Sequence, residues 1–319
     1  MINFGIIGAG NIANRFADSL SHFKDANLYA VACRGIEKAA AFQRKHPCQL
    51  IYDDYDELLS NKDIDIVYIA VPHGFHYLWI SKALKKGKAV LCEKPATLNA
   101  EQMKSVQKLA EAKNIFFMEA MKSRFTPAYQ EIKTIINNGE IGKIISIDSS
   151  FCREISKKTA TYHFQPIQGG CLLDIGIYNV ALTEDFVKTL PKVEVLENKM
   201  DISGVETYTK AKLLFPNLSA TIECAFDRNK QTEATIKGEK GQIEIKNFHR
   251  AESFIVKTSS GTKNYHIAYE QDDFHGEIAH VIQCYGKNKT ESNIMPISDS
   301  VNCALIIEKI KNQIPELAV

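Results

Sequence analysis

Lys94 stands between Glu93 and Pro95, and Tyr178 stands four residues after Asp174. A lysine ammonium is a compact charge that responds strongly to desolvation. A tyrosine whose phenolate such a charge stabilises can give and take a proton. Residues at i and i+4 share a helix face, so Asp174 and Tyr178 are expected side by side on a helix opened by Gly169-Gly170. Gly176 between them is expected to leave room. Tyr178 alone would be no more than a core tyrosine of an amphipathic helix, so its weight depends on the signals around it.

The first of these is Gly8-Ala9-Gly10-Asn11-Ile12-Ala13, directly after an apolar run and opening a helical pattern. Gly8 permits a tight turn, and Gly10 lets the backbone approach a diphosphate. Small Ala13 lets helix pack on strand, so Gly8, Gly10, Asn11 and Ile12 become dinucleotide-binding candidates. After the second strand, where an acid would hold a ribose 2′-hydroxyl, the chain has Cys33-Arg34-Gly35, with Lys38 one helical turn on. A cation there suits a 2′-phosphate, so NADP(H) is expected as the preferred cofactor, with NAD(H) possible. Ala70-Val71-Pro72-His73-Gly74-Phe75-His76 and Cys92-Glu93-Lys94-Pro95 both end buried strands. Ligands bind at the carboxyl ends of strands in such sheets. Ala70, Pro72, His73 and His76 are therefore candidates for the nicotinamide pocket, and Lys94 lies at a strand mouth.

The elements that must position these residues follow from hydrophobic pattern. Apolar runs at Ile2–Ile7, Leu28–Ala32, Ile66–Val71, Ala89–Cys92 and Ile115–Met118 alternate with helical patterns at Asn11–Phe23, Ile36–Lys45, Phe75–Lys86 and Ala100–Lys113. This alternation predicts an α/β Rossmann domain with a parallel sheet over residues 1–122. From 123 to 319 the rhythm changes. A helix at Ala128–Asn138 and an alternating segment at Lys143–Cys152 precede the Gly169-Gly170 helix. Seven β-rich runs follow between Val193 and Ala268, then helices near His275–Tyr285 and Ser300–Ile314. A C-terminal α+β domain with a large, mainly antiparallel open sheet is expected. Its alternating strands, such as Tyr208–Phe215, leave a face to bury, so a homodimer or higher homo-oligomer is expected. Substrate specificity is assigned to loops such as Arg153–Gln168, which includes His163.

Composition narrows the classes. A net charge of +1 among 319 residues sets up no field for nucleic acid or an anionic membrane. No apolar run approaches the roughly 18 residues of a membrane span, and because the first residues enter a strand at once, no signal peptide is expected. The eight cysteines show neither C-x-x-C nor zinc spacing, which predicts reduced thiols in a cytoplasmic protein and no metal.

Taken in order, these motifs resemble the glucose–fructose oxidoreductase, inositol dehydrogenase and MocA family over nearly the whole chain. Met118-Glu119-Ala120 with Arg124-Phe125, the Gly238-Glu239-Lys240-Gly241 turn and Phe274, Glu277 and His280 also match. The resemblance is to the tyrosine-type branch that includes trans-dihydrodiol dehydrogenase. It implies an NADP(H)-dependent dehydrogenase acting on CH–OH groups of a sugar-like or small-diol substrate. It also implies Lys94 as the active-site lysine, Tyr178 as proton donor and acceptor, Asp174 as the group that orients a substrate hydroxyl, and Glu93 as support for the cofactor ribose. It implies a Lys94–Pro95 bond that is often cis. Two positions depart from the family pattern: Cys171 replaces a glycine, and Ala181 replaces an aspartate, as in tyrosine-type members. Two other readings use the same cofactor: an imine or biliverdin-type reductase, and a silent NADP-sensing regulator.

Overall fold

From Phe4 onward every residue of β1 (Ile2–Ile7) is buried. A strand without polar alternation has both faces covered, as in a parallel sheet between helix layers. The computed structural model, which describes residues 1–160 and 162–315, shows that arrangement. After β1 come α1 (Asn11–Leu20), β2 (Ala26–Ala32), α2 (Ile36–Lys45), β3 (Leu50–Tyr52), α3 (Tyr55–Ser60) and β4 (Ile66–Ile69). A short 3₁₀ turn at His73–Phe75 leads into α4 (His76–Lys85), followed by β5 (Ala89–Glu93), α5 (Ala100–Lys113) and β6 (Phe117–Ala120). The six strands pair in parallel in the order β3-β2-β1-β4-β5-β6. The order reverses between β1 and β4, which opens a crevice at their carboxyl ends.

The second sheet has eight strands. After α6 (Pro127–Asn137) come β7 (Ile144–Cys152), a π-helical turn at Leu172–Gly176 and α7 (Ile177–Val187). Then follow β8 (Lys192–Met200), β9 (Glu206–Leu214), β10 (Ser219–Ala225), β11 (Glu233–Gly238), β12 (Gly241–Lys246), β13 (Ser253–Thr258) and β14 (Gly261–His266). The order is β14-β13-β12-β11-β7-β10-β9-β8. Every pairing is antiparallel except β7 with β10. The face against α7 is apolar: Ile147, Ala220, Ile222, Cys224, Ala211 and Leu213 are buried there. On the other face Asp148, Lys210, Thr221, Glu223, Lys230 and Thr235 line a groove of about 240 Å³.

The chain forms two compact units, and the division is not a single cut at 122/123. Glu270–Ser300, including α8 (His275–Gly286), belongs to the first unit, while residues from Val301 on, most of α9 (Ile297–Lys311), belong to the second. The reason is packing. Arg15 of α1 pairs with Asp273 and lies 4.8 Å over the Phe274 ring. Ser19 hydrogen-bonds Asp272 at 2.9 Å, and Tyr285 donates to Asp65 at 3.1 Å. Phe274, Ile278 and Val281 are each fully buried. A domain boundary read from a change of rhythm does not register a helix that returns to an earlier sheet.

Candidate functional site

The first unit carries a cradle for a dinucleotide. Gly8 sits at φ +102°, and a Cβ there would collide with the Ala70 carbonyl oxygen, so only glycine passes beneath the end of β4. A Cβ on Gly10 would meet no protein atom within 4 Å, so the space above that residue is open. Gly10 precedes α1 without a side-chain cap, and the first turn holds no acid. The first-turn amides therefore suit an anion. Asn11 is exposed and Ile12 half-buried at this end, while Ala13 is buried against the sheet.

At the end of β2, Cys33 is buried, and burial pushes its thiol up. Arg34 and Lys38 are exposed. Tyr55, at the start of α3, lies beside Arg34; burial raises its phenol pKa, and the guanidinium works in the opposite direction. Trp79 meets the Tyr55 ring edge-on at 4.8 Å. At the end of β4, Ala70 and His73 are buried and Pro72 leads the 3₁₀ turn. His76 is fully buried, with Nδ1 2.8 Å from the Pro95 carbonyl and Nε2 2.7 Å from the Val71 carbonyl. Burial lowers its pKa, against the pull of those two carbonyls. Both ring nitrogens are engaged with backbone, so His76 ties two strand ends together. At the end of β5, Glu93 is buried, Lys94 is half-buried, and the Lys94–Pro95 bond is cis. Glu93 Oε1 accepts from Tyr68 at 2.5 Å, and Glu119 accepts from the Ala96 amide at 2.8 Å.

The second unit carries Asp174 and Tyr178. They lie not on one regular helix but across the join between the π-helical turn and α7. Such turns recur at functional sites. Gly176 does not leave room for a ligand: a Cβ there would lie 2.9 Å from the Cys224 sulfur and 3.0 Å from Leu172. Its smallness lets the turn lie close on β10. Glu206 fixes the start of the turn by accepting from the Leu172 amide at 3.2 Å, and Asn179 anchors α7 to Ser149 of β7 at 2.9 Å. Tyr178 is 7% exposed. Its ring is 6.0 Å from Phe151 and 5.8 Å, edge-on, from His249. Asp174 accepts from the Tyr162 hydroxyl at 3.2 Å. Behind α7, buried Arg124 pairs with Glu184 at 2.8 Å and lies 3.7 Å from Asp185, which also binds Lys133 at 2.9 Å. Among the described residues, no group of three His, Cys, Asp or Glu could hold a metal ion, and no helix is long and apolar enough to cross a membrane.

The family described as an oxidoreductase family with an NAD-binding Rossmann fold matches residues 2–121, and the GFO/IDH/MocA C-terminal domain matches residues 129–244. Trans-1,2-dihydrobenzene-1,2-diol dehydrogenase of Xenopus laevis is 32% identical over 98% of this chain and 97% of its own length. The chain belongs to the Gfo/Idh/MocA family. Another relative is an NADP(+)-dependent scyllo-inositol 2-dehydrogenase of Bacillus subtilis, 29% identical over 98% of this chain and 97% of the relative. Levoglucosan dehydrogenase in complex with NADH superposes with a TM-score of 0.89 at 20% identity, over 98% of this chain and 96% of that one. A 3-ketoreductase from Actinomadura kijaniata in complex with NADP and TDP-benzene gives 0.86 at 22%, over 98% and 97%. Those two likenesses establish a shared fold. As a Gfo/Idh/MocA member the chain is a nicotinamide-dependent oxidoreductase with a Rossmann cofactor domain.

Sequence reasoning gave no role to several residues of this Gfo/Idh/MocA chain. Tyr68 lies inside a buried strand, where a phenol carries no pattern of its own. Tyr55, Tyr162 and His249 lie in or beside short elements without periodicity. Arg124 was visible as part of a motif, but its partners Glu184 and Asp185 lie sixty residues further on.

Proposed function

We propose that this enzyme interconverts a secondary carbinol and its ketone on a hydroxylated ring, a sugar-like compound or cyclic diol, with NADP(H) as the preferred cofactor. The observation that carries the substrate class is the environment of Tyr178. A carboxylate stands one turn before it, and the Phe151 and His249 rings lie beside it. A ring with polar edges and an apolar face suits that surround. Relatives named for a dihydrobenzene diol and an inositol point the same way.

Gly8, Gly10 and the first turn of α1 would hold the diphosphate, Glu93 the ribose, and Arg34 with Lys38 the 2′-phosphate. Ala70, Pro72 and His73 would flank the nicotinamide. The bound nicotinamide supplies or accepts the hydride. Tyr178 takes the hydroxyl proton in oxidation and returns it in reduction. The Lys94 ammonium stabilises the developing alkoxide, a positive charge placed where negative charge grows. Asp174 orients a substrate hydroxyl. The absence of an acid at the end of β2 and the exposure of Arg34 beside Tyr55 support NADP(H) over NAD(H).

The test is oxidation of ring diols, aldoses and anhydro-sugars, and reduction of the matching ketones, with each cofactor and detection of NADPH or NADH absorbance. No turnover in either direction would leave a cofactor-binding regulator and overturn the proposal. The reading extends to a cytoplasmic homo-oligomer. None of the eight cysteines, all among the described residues, forms a disulfide, and the Cys171 and Cys224 sulfurs lie 3.6 Å apart. The groove face of the second sheet carries ion pairs such as Lys230–Glu223 and Lys257–Glu244. Light scattering should show an assembly at micromolar concentration, and a monomer would overturn this part of the reading.

A further inference from the structure

Two loop side chains lie against the Asp174 carboxylate, and the mechanism above uses neither. Oδ1 accepts from the Tyr162 hydroxyl at 3.2 Å, and Oδ2 lies 3.8 Å from Nε2 of His163. The two loop rings stack at 4.5 Å and 15°, and Phe226 meets His163 edge-on at 5.6 Å. The backbone beneath them is fixed. The Gly170 amide donates to the His163 carbonyl at 2.9 Å, and the Gly169 amide donates to the Gln165 carbonyl at 2.8 Å. A Cβ on Gly169 would stand 2.5 Å from the His163 carbonyl oxygen. The double glycine thus lets the loop fold back on itself and sets the imidazole against Asp174. The His163 side chain keeps 20% of its surface exposed and that of Asp174 12%.

A carboxylate alone only accepts hydrogen bonds, whereas an imidazole beside it adds a donor. We propose that His163 and Asp174 together bind a second substrate hydroxyl, on the carbon next to the reacting carbinol, and so select ring diols over ring mono-alcohols. The proposal rests on the carbinol reading above, with Tyr178 serving the reacting hydroxyl. A site built around a hydroxyl discriminates strongly against an analogue that lacks it, because its own polar groups are then left unpaired.

The experiment compares oxidation of trans-cyclohexane-1,2-diol and cyclohexanol by wild type, His163→Ala, His163→Gln and His163→Asn. A glutamine amide reaches the position of Nε2, and an asparagine amide does not. For the diol, His163→Ala and His163→Asn should lose about tenfold to a hundredfold in kcat/KM, mainly through KM. His163→Gln should recover most of that loss, and cyclohexanol should be unaffected throughout. Calorimetric titration of the diol into NADPH-loaded enzyme should show the same ranking without turnover. A merely structural histidine would lower both substrates together and would not separate Gln from Asn, and either result overturns the proposal. If His163→Ala melts early, the Gln–Asn comparison decides alone. Wild type that oxidises neither compound overturns the carbinol reading and this proposal with it. Wild type that oxidises both, with a diol preference untouched by the variants, overturns this proposal only.

Discussion

The phenol of Tyr68 donates a 2.5 Å hydrogen bond to Oε1 of Glu93, and both groups are buried in the parallel sheet. Burial, then the neighbouring carboxylate, raises the Tyr68 phenol well above the ordinary range, so it stays a donor throughout the working pH range. The same ring stacks on Phe16 of α1 at 3.7 Å. A residue inside β4 therefore steadies the acid beside Lys94. Tyr68→Phe should cost about 1–3 kcal/mol of stability by leaving a buried acceptor short of a partner. If Glu93 holds the cofactor ribose, NADPH binding should also weaken severalfold, read by fluorescence titration. Lost stability with unchanged NADPH affinity would make Glu93 a structural acid only.

Arg34 and Tyr55 make the cofactor preference testable. Arg34→Ala should weaken NADP(H) binding by about tenfold to a hundredfold and leave NAD(H) nearly unchanged, as for loss of a charge-assisted contact. Tyr55→Phe should move in the same direction by less, because it removes only the polar hydroxyl beside Arg34 and leaves the cation in place. Titration of both cofactors against both variants is the measurement. Equal losses for NAD and NADP would refute the assignment.

Lys94 and Tyr178 are expected to act as one acid/base unit. Tyr178→Phe keeps the ring and removes the proton, so turnover should fall by about 10²–10⁴-fold while NADPH binding survives. Lys94→Ala should also lower turnover. The double variant should lose far less than the product of the single losses, because groups that act together are non-additive. Multiplicative losses would mean that the two act independently. Near wild-type turnover in Tyr178→Phe would exclude it as the proton carrier.

Acid should loosen the second unit through Asp185. Burial raises its carboxyl pKa, but Arg124 and Lys133 outweigh burial, and the value lies below the ordinary one. A carboxyl depressed on folding stabilises fully above its unfolded pKa of about 3.9, and that stability is lost as pH falls through the folded value. Calorimetry should therefore show the melting temperature falling below about pH 4. Lys133→Met raises the folded value toward the unfolded one, so the fall should be smaller and end at higher pH. Arg124→Met, which strips Glu184 and Asp185 of their shared buried cation, should cost about 3–5 kcal/mol at neutral pH. A loss under about 1 kcal/mol would show that the network is solvated rather than buried.

The central strands were legible because continuous apolar runs have one explanation in a chain that alternates with helices. β3 and α3 were not. Leu50–Tyr52 spans three residues with an exposed leucine, and Tyr55–Ser60 is a polar single turn and a half begun by an Asp54 cap. The π-helical turn was invisible for another reason. Every residue of Leu172–Gly176 is buried, Asp174 included, so no exposed residue marks the change from a 3.6-residue period. The role of His76 was hidden because its partners are the Val71 and Pro95 carbonyls, and backbone acceptors leave no trace in residue type. The cofactor cradle was legible because glycine carries its conformational reason with it.

The return of Glu270–Ser300 to the first unit has a consequence for how the protein is made. A ribosome releases β1 early, but Asp273, the partner of Arg15, emerges only after the entire second sheet has been synthesised. Residues after Val301 then complete the second unit. Neither unit can finish while the chain is still growing near its end. Contacts this distant in sequence delay folding and leave apolar surface uncovered in the interim. A gene fragment encoding residues 1–122 would yield a sheet without α8, with the apolar surface that α8 covers open to aggregation.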